Sequence, residues 1–418
     1  MADPTRHCLN LEIHNRLDVV SQEEWQWLFP GFPDSLALIQ HIQESGMERF
    51  AFHSIVIRDE QRPILMLPLF ETRYEVHSGY HGFARPWLDQ IARLLPDVFY
   101  PRILGVGFVE GEWGQIGFDP LAPMQQLQEA WTIALKALNA LANSLQANLI
   151  TFVDFNSQSG AILPMSLPEF QSFARIASNP CGVLPIRFSS LNDYLESLSK
   201  ATRKDLRRKM KKAGHLEIIR TTQPKPYLER IYRFYQETVA RSDASFGIQR
   251  EEYFRTICDK VPGAEYTLYL WQGELVGFNL LIRTQTSLVD KYFGMDAAQG
   301  RELNLYFLSW LENIRYCIEH GIPEYHAGPA AEGLKSRLAA RFIPSMILFK
   351  HRNPIAQKVL TTLAPYMGYE PEIDLPKAEL GATWQAYEKQ LQQADWAFPL
   401  PQSKADTLPQ TEGKTVAL

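Results

Sequence analysis

The chain has 418 residues, which at about 100–200 residues per domain predicts two or three domains. Hydrophobic residues make up 45% and charged residues 21%, so the composition excludes a largely disordered chain and a charge-dominated scaffold. Lys and Arg total 42 against 47 Asp and Glu, a net charge of -5, which excludes a general polyanion-binding surface and requires any basic site to be local.

Cysteine spacing and hydropathy argue against a zinc-binding, disulfide-rich, secreted or membrane-spanning protein. Cys8, Cys181, Cys258 and Cys317 lie far apart with no C-x-x-C pair, which argues against a zinc site and a disulfide framework. The N-terminus lacks the apolar stretch of a signal peptide. The most apolar short segment, 64–70, is far shorter than the roughly 18 residues of a membrane-spanning helix. We therefore expect a cytoplasmic protein with no membrane span and no bound metal.

The first predicted unit consists of a hairpin, a helix and a strand. Two apolar segments flank the charged turn at 58–61 and predict a β-hairpin. Apolar residues at three- and four-residue spacing predict a helix over 124–145, and 149–153 is predicted to be a strand. The intervening stretch 74–102, rich in Tyr, His, Gly and Pro, is predicted to be an insertion.

Helices are predicted between this unit and the next. The Ser189-Ser190 pair is predicted to cap a helix over 193–213, and further helices are expected at 227–240 and 251–260. Residues 200–212 of the first helix carry eight Lys or Arg against one Asp, a net charge of +7.

This basic helix has two interpretations. Helical spacing places five cations near one face, which suits a phosphorylated donor, a nucleotide-linked acceptor or a tRNA backbone. Base-specific recognition is not predicted, because no aromatic residues interleave the charges. The alternative is a solvated charged helix without a ligand. The five cations are Lys200, Lys204, Arg207, Arg208 and Lys211.

The second predicted unit repeats the order of the first. It has a hairpin with its turn at Gln272-Gly273, a strand over 287–294, a helix from about 302 to 320 and a short strand at 324–327. The same order twice predicts an internal duplication. A helix at 334–341, a strand at 345–349 and a helix at 355–363 are predicted to follow.

Three features together resemble the GNAT acyltransferase superfamily in a tandem form. They are the repeated order of elements, the segment 188–212 and the segment 304–335, which ends Gly328-Pro-Ala-Ala-Glu-Gly-Leu-Lys335. The chain is similar to the cellulose-biosynthesis-associated acetyltransferase-like family and, more remotely, to the Fem-type aminoacyltransferases that build peptide cross-bridges.

The resemblance implies a fold and a division into domains. The fold class is α/β (mixed α+β), with two tandem GNAT-like domains, each a central twisted sheet with flanking helices. We expect an N-terminal, degenerate domain at 1–187 that shapes the acceptor side. A C-terminal domain at 188–370 is expected to bind the donor and hold the chemistry. Residues 371–418 are predicted to be an extension and a disordered tail.

The resemblance also implies an activity. It indicates an N-acyltransferase that moves an acyl group from acyl-CoA, as a co-substrate and not a permanently bound cofactor, to a small-molecule or nucleotide-linked amine by direct attack. One alternative is a Fem-like aminoacyltransferase that uses charged tRNA, held by the basic helix. Another is a catalytically silent GNAT-like binding module in envelope or polysaccharide biosynthesis.

Three residues are candidates for the general base. The unperturbed pKa of His326, about 6.5, suits the acceptance of a proton from an ammonium, and Asp290 and Glu302 are alternatives. Asp290 and Lys291 are adjacent on a strand, so alternation predicts that only one of them faces the site, with Tyr292 on the face of Asp290. Tyr292 is a candidate substrate contact, as are Arg203 and Arg207 of the basic helix.

The donor phosphates are expected at the N-terminus of the helix that follows strand 287–294. Glu302 departs from the superfamily's phosphate-binding pattern, and a carboxylate there disfavours a phosphate. Lys335 matches the family's Lys after the Gly-rich turn and is expected to neutralise donor or acceptor anions. The candidate donor contacts are Gln299, Gly300, Arg301, Asn304 and Lys335.

Overall fold

The computed structural model describes residues 8–75, 85–156, 163–164, 167–212, 216–241, 246–329 and 331–367. The predicted tail over 371–418 lies outside the described residues. The strands are β1 (Leu9–His14), β2 (Ala51–Asp59), β3 (Arg62–Arg73), β4 (Arg102–Val106), β5 (Gly117–Phe118), β6 (Leu149–Asn156), β7 (Ala174–Pro185), β8 (Glu217–Thr221), β9 (Ala264–Trp271), β10 (Glu274–Arg283), β11 (Ser287–Met295), β12 (Glu324–Gly328) and β13 (Arg341–His351).

The helices lie on both sides of the sheet formed by these strands. They are α1 (Gln22–Leu28), α2 (Leu36–Ser45), α3 (Arg85–Leu94), α4 (Pro96–Phe99), α5 (Met124–Ser144), α6 (Pro168–Gln171), α7 (Leu191–Ser197), α8 (Lys200–Lys212), α9 (Leu228–Arg241), α10 (Glu251–Lys260), α11 (Gln299–Glu302), α12 (Leu305–Glu319), α13 (Glu332–Arg337) and α14 (Pro354–Met367).

The strands form one sheet with the order β1-β2-β3-β4-β6-β13-β7-β12-β11-β10-β9-β8, and β5 pairs with β3. Each half contains an antiparallel meander followed by a helix and a parallel strand: β4 pairs in parallel with β6 across α5, and β11 with β12 across α12. The predicted duplication is confirmed by this repeated topology.

The last strand of each half lies beside the other half. β7 follows β6 in the chain but pairs with β12, and β13 follows β12 but pairs with β6. β7 and β13 also pair with each other, antiparallel, at the centre of the sheet. The two repeated units are therefore joined by exchanged strands.

Amphipathic helices bury their apolar faces against the sheet. On α5, Ala130, Ala134 and Leu138 follow the three- and four-residue spacing and are at most 1% exposed, as expected for a helix that covers a sheet. They pack with the core strands of the first half. On α12, Trp310 and Ile314 pack in the same way against the second half.

The predicted hairpins are confirmed. The β2–β3 and β9–β10 turns contain Glu60 and Gln272, both with φ of 53°, followed in the second turn by Gly273 with φ of 79°. Positive φ at the centre of a two-residue turn matches the right-handed twist of the strands.

Two observed helices differ from the predicted ones, one by a division and one by a later start. The helix expected over 193–213 is α7 and α8, because Leu198 is extended, with ψ of 161°, and the Ser199 hydroxyl accepts from the Thr202 amide at 3.2 Å to start α8. The helix expected from about 302 begins at Leu305, since Asn304 has left-handed backbone, with φ of 57°. No helix in the described part of the chain is both long and apolar enough to cross a membrane.

Candidate active site

A β-bulge on β11 shapes the candidate site. On β10, Leu280 pairs with Tyr292 and Leu281 pairs with Asp290, so Lys291 is an extra residue without a partner. A bulge changes the direction of neighbouring side chains. Asp290 and Lys291 accordingly line the same cavity. The prediction that only one of them faces the site is wrong, and Tyr292 lies on the opposite face from Asp290.

The cavity lies where parallel strands separate. β11 and β12 pair only as far as Val289 and His326, immediately before Asp290. The cavity has a volume of about 500 Å³ and is lined from β4, β6, β7, β11, β13, α14 and the loop that contains Glu110 and Glu112. Both halves of the chain therefore contribute to it.

Lys291 is the centre of a buried charge cluster. Its Nζ donates to Asp34 Oδ1 at 2.9 Å and to the Glu110 carbonyl oxygen at 2.8 Å, and lies 3.4 Å from Glu112 Oε1. The side chains of Lys291, Asp34 and Glu112 are 5%, 1% and 7% exposed. Burial opposes the charge, but the attraction of Asp34 and Glu112 raises the pKa of Lys291 above its usual value. Lys291 is therefore a fixed cation.

His326 lies between two carboxylates. Its Nδ1 is 3.3 Å from Glu112 Oε2 and its Nε2 is 3.1 Å from Glu324 Oε2. Burial lowers the pKa of His326, but the interactions with Glu112 and Glu324 exceed this effect and raise it to about 9. His326 therefore holds its proton at neutral pH, which is unfavourable for the predicted role of general base.

Asp290 has a different environment. Asn279 Nδ2 lies 2.9 Å from each carboxylate oxygen, and Oδ2 also accepts from the Tyr325 hydroxyl at 2.8 Å and from Asn313 Nδ2 at 3.2 Å. Burial raises the pKa of Asp290 to about 6, despite the opposing hydrogen bonds from Asn279 and Tyr325. Asp290 is fixed by hydrogen bonds, lines a cavity and has a pKa near neutrality. These properties suit a general base.

Lys335 stabilises the turn beside the cavity. Its buried Nζ donates to the carbonyl oxygens of Ala327, Gly328 and Pro329 at 2.6, 3.0 and 2.9 Å, and burial lowers its pKa to about 8. These three bonds use the full donor capacity of an ammonium. Gly328 and Pro329 line the cavity, so the geometry favours a positioning role for Lys335 over the expected contact with anions.

The backbone amides of the predicted phosphate-binding loop already donate hydrogen bonds to Asp296 of the same loop. Asp296 Oδ1 accepts from the amides of Ala298 and Gln299 at 3.0 and 2.9 Å. The amide of Gly300 donates to the Asp296 carbonyl oxygen at 2.9 Å. The described lining of the cavity contains none of the predicted donor contacts Gln299, Gly300, Arg301, Asn304 and Lys335.

Glu302 and the arginines of α8 lie outside the cavity lining as well. Glu302 is exposed, and its carbonyl oxygen accepts from Lys212 Nζ at 2.9 Å. Arg203 and Arg207 pair with Glu196 of α7 at 2.9 and 2.8 Å. These contacts hold α8 against α7.

The exposed face of α8 matches the sequence prediction. All five cations predicted to share that face are exposed, and Leu206, on the opposite face, is 1% exposed. Lys209 is directed inward, with Nζ 3.2 Å from the centre of the Phe307 ring. The exposed residues are Lys200, Lys204, Arg207, Arg208 and Lys211.

The sequence analysis does not predict several of the site residues. Glu110 and Glu112 follow β4, and two acids in a glycine-rich segment are a detectable signal. Asp34 had no such signal, because its partner Lys291 is 257 residues away. Asp154 lines the cavity from the end of β6, with φ of 56° and a hydrogen bond from the Ser178 hydroxyl.

The chain resembles a known protein family in sequence and several solved proteins in structure. A family model described as peptidoglycan biosynthesis/recognition matches residues 46–362. FemX is similar in structure, with a TM-score of 0.52 and 11% identity over 82% of this chain and 98% of FemX. No curated protein matches the sequence.

Two further solved structures have lower scores. A tandem GNAT protein from the clavulanic acid biosynthesis pathway has a TM-score of 0.48 and 13% identity, over 82% of this chain and 99% of that one. L-PGS from Bacillus licheniformis has a TM-score of 0.43 and 11% identity, over 80% of this chain and 98% of that one. The predicted fold of two units, each with a sheet and flanking helices, is confirmed by the repeated topology and by the similarity to FemX.

Proposed function

The chain belongs to the FemAB-like family, and on that basis we propose that it is a transferase that moves an aminoacyl group from charged tRNA to an amine. We favour tRNA over acyl-CoA as the donor because the Asp296 carboxylate accepts hydrogen bonds from the amides of Ala298 and Gln299, where the coenzyme A phosphates would bind. A coenzyme A pyrophosphate at this loop would have to displace a carboxylate and lie near Glu302. Like charges at such short range disfavour binding.

The basic helix supports the tRNA donor. Lys200, Lys204 and Lys211 are exposed, and none of them has an ion pair among the described residues. Exposed cations on one helix face bind phosphate backbones without reading bases. Acyl-CoA, expected from the GNAT resemblance, is the alternative donor.

The proposed chemistry is direct aminolysis of the aminoacyl ester. The acceptor ammonium first loses one proton to solvent. The amine nitrogen then forms a bond to the ester carbonyl carbon, and Asp290 accepts the second proton that the nitrogen loses. The bond from the carbonyl carbon to the ribose oxygen breaks, and Asp290 returns its proton to that oxygen. Backbone amides at the Lys291 bulge stabilise the oxyanion, a role typical of fixed backbone donors. The carboxylates of the cavity attract the acceptor in its ammonium form.

The donor is tested with the purified protein and a pool of radiolabelled aminoacyl-tRNAs, with nucleotide-linked peptidoglycan precursors as acceptors. We expect label on the acceptor, and loss of transfer after pretreatment with RNase. Transfer from radiolabelled acetyl-CoA that resists RNase would replace the tRNA donor with acyl-CoA. Transfer from neither donor would favour the silent binding module.

The tRNA-binding face is tested separately by filter binding. The double variant Lys204→Glu/Lys211→Glu should weaken tRNA binding at least tenfold and reduce the slope of log affinity against log salt by about 2. The control is Arg255→Glu on α10, where Arg255 is exposed and pairs with Glu251 and Glu252. Equal affinities for the α8 variant and the control would contradict a role for α8.

A further inference from the structure

One end of the cavity is apolar and lies beside β6 and the strands near it in the sheet. Side chains from four strands and α14 form this wall. Protein interiors are normally close-packed, and an apolar void loses the contacts that packing would provide. A volume of about 500 Å³ is in the range of small-molecule sites. The wall includes Ile103, Leu149, Ile176, Ile347 and Leu360.

The rest of the cavity wall carries carboxylates at several points. Glu110, Asp154 and Asp290 contribute to it, and Lys291, the one cation among the described lining residues, is already bound to Asp34 and Glu112. Burial raises the pKa of Glu110, Asp154 and Asp290. A cation brought next to these carboxylates would favour their charged form.

The cavity wall also carries a hydroxyl without a partner. Thr151 is 5% exposed and lines the cavity, and its Oγ1 has no hydrogen-bond partner in the described structure. A buried polar atom left without a partner costs free energy. Thr151 is thus a polar position within the stretch of wall to which Leu149 and Val153 of β6 also contribute.

We propose that this cavity binds a ligand in which a primary ammonium is joined to an apolar chain. The ammonium lies at Asp154 on β6, and the chain packs on the adjacent apolar wall that contains Ile347 and Leu360. This inference rests on the proposed function, because it specifies the chemistry of one of the two substrates of that reaction. An apolar amine acceptor and the aminoacyl group of an apolar amino acid share this chemistry.

The chemistry is tested by calorimetric titration of the protein without tRNA or acceptor. Octylamine should bind at least tenfold more tightly than 1-octanol or octanoate, because only the amine offers both a cation and a chain. From butylamine to octylamine, affinity should rise by up to about fourfold per methylene. Failure of octylamine to bind, or equal affinities for octylamine and octanol, would overturn the proposal.

The two sources of the amine are distinguished by a second set of probes. If the aminoacyl group occupies the cavity, leucine methyl ester should bind at least tenfold more tightly than glycine methyl ester and should compete with octylamine. If the acceptor occupies it, octylamine should bind while the two esters bind equally weakly. Either result supports an apolar amine and identifies its source.

Variants at the apolar end and at Asp154 make the test specific. Ala364→Phe fills the apolar end and should weaken octylamine binding at least tenfold, whereas Ile355→Phe, on the exposed side of the same helix, should not. Ile355 is 77% exposed and Ala364 is 7% exposed. Unchanged octylamine binding by a folded Ala364→Phe protein would overturn the proposal.

Asp154→Asn keeps a residue that tolerates the left-handed backbone and serves if Ala364→Phe does not fold. It should weaken octylamine binding at least tenfold and leave octanol binding unchanged, and equal effects on both probes would overturn the proposal. Amine binding without aminoacyl transfer would overturn the proposed function alone. Transfer without amine selectivity would overturn this inference alone.

Discussion

Lys291 and Asp34 form a buried ion pair between the two halves of the chain, with Nζ and Oδ1 separated by 2.9 Å and exposures of 5% and 1%. Lys291 belongs to β11 and Asp34 directly precedes α2, so the pair fixes the bulged strand against the first half. Glu112 adds a second carboxylate at 3.4 Å. Charges removed from water to this extent depend strongly on their partners.

Replacement of Lys291 should therefore lower the stability of the folded protein. Lys291→Met leaves Asp34 and Glu112 buried without their cation, and we expect a loss of about 3–5 kcal/mol in the free energy of unfolding, measured by urea denaturation. The control is Lys260→Met, which removes an exposed pair with Glu44 whose members are both 57% exposed. Lys260→Met should change the free energy of unfolding by no more than about 0.5 kcal/mol. Similar losses for the two variants would contradict the structural role of Lys291.

His326 should make stability depend on pH. Its pKa of about 9 in the folded protein lies above the unfolded value of about 6.5. The stabilisation from Glu112 and Glu324 is therefore complete below pH 6.5 and is lost as the pH rises toward 9. From pH 6.5 to 8 the wild type should lose about 2 kcal/mol relative to His326→Gln.

The comparison with His326→Gln is needed because Lys335 titrates in the same pH range. Burial lowers the pKa of Lys335 to about 8, so its loss of a proton in the folded protein increases stability as the pH rises, and this contribution is common to the wild type and the variant. Unfolding curves at three pH values for both proteins give the result. A constant difference between wild type and His326→Gln would show that the histidine is not held as a cation.

Asp290 should set the acid limb of the pH–rate profile. A base with a pKa of about 6 is protonated at lower pH, so kcat/KM should fall as the pH decreases through 6. Asp290→Asn should lower kcat by about 10²–10⁴-fold and abolish that limb. The control Asp259→Asn, at an exposed site on α10, should keep the wild-type profile. Persistence of the limb in Asp290→Asn would assign the base elsewhere.

Lys335 should act on turnover and not on donor affinity. Lys335→Met removes the donor to three carbonyl oxygens, and we expect about 1–3 kcal/mol of lost stability and at least a tenfold lower kcat. The KM for the donor should remain within twofold, because the ammonium is fully used by the turn. A large rise in KM with unchanged kcat would instead support the contact with anions suggested by the sequence.

Local patterns predicted the secondary structure where one pattern dominates. The hairpins and α5 follow from alternation, turn composition and helical spacing. The division between α7 and α8 depends on one extended residue, Leu198, inside a continuous helical pattern. The offset start of α12 likewise depends on the left-handed backbone of Asn304. Neither the break at Leu198 nor the start after Asn304 changes the spacing of apolar residues, so the sequence pattern does not reveal them.

The candidate site was only partly accessible to sequence reasoning. Asp290 and His326 lie on strands that the repeat itself identified. The shared direction of Asp290 and Lys291 depends on a bulge, which alternation does not reveal. Asp34, Glu112 and Lys291 come together through packing between the halves, and separations of 179 and 257 residues leave no local pattern to detect.

The exchanged strands have a consequence during synthesis on the ribosome. β6 lies between β4 and β13, and β13 ends at His351. The edge of β6 therefore stays open while nearly two hundred further residues are translated. Open apolar strand edges favour aggregation, and pairings this distant in sequence form slowly. We therefore expect the nascent first half to be prone to aggregation until β13 emerges.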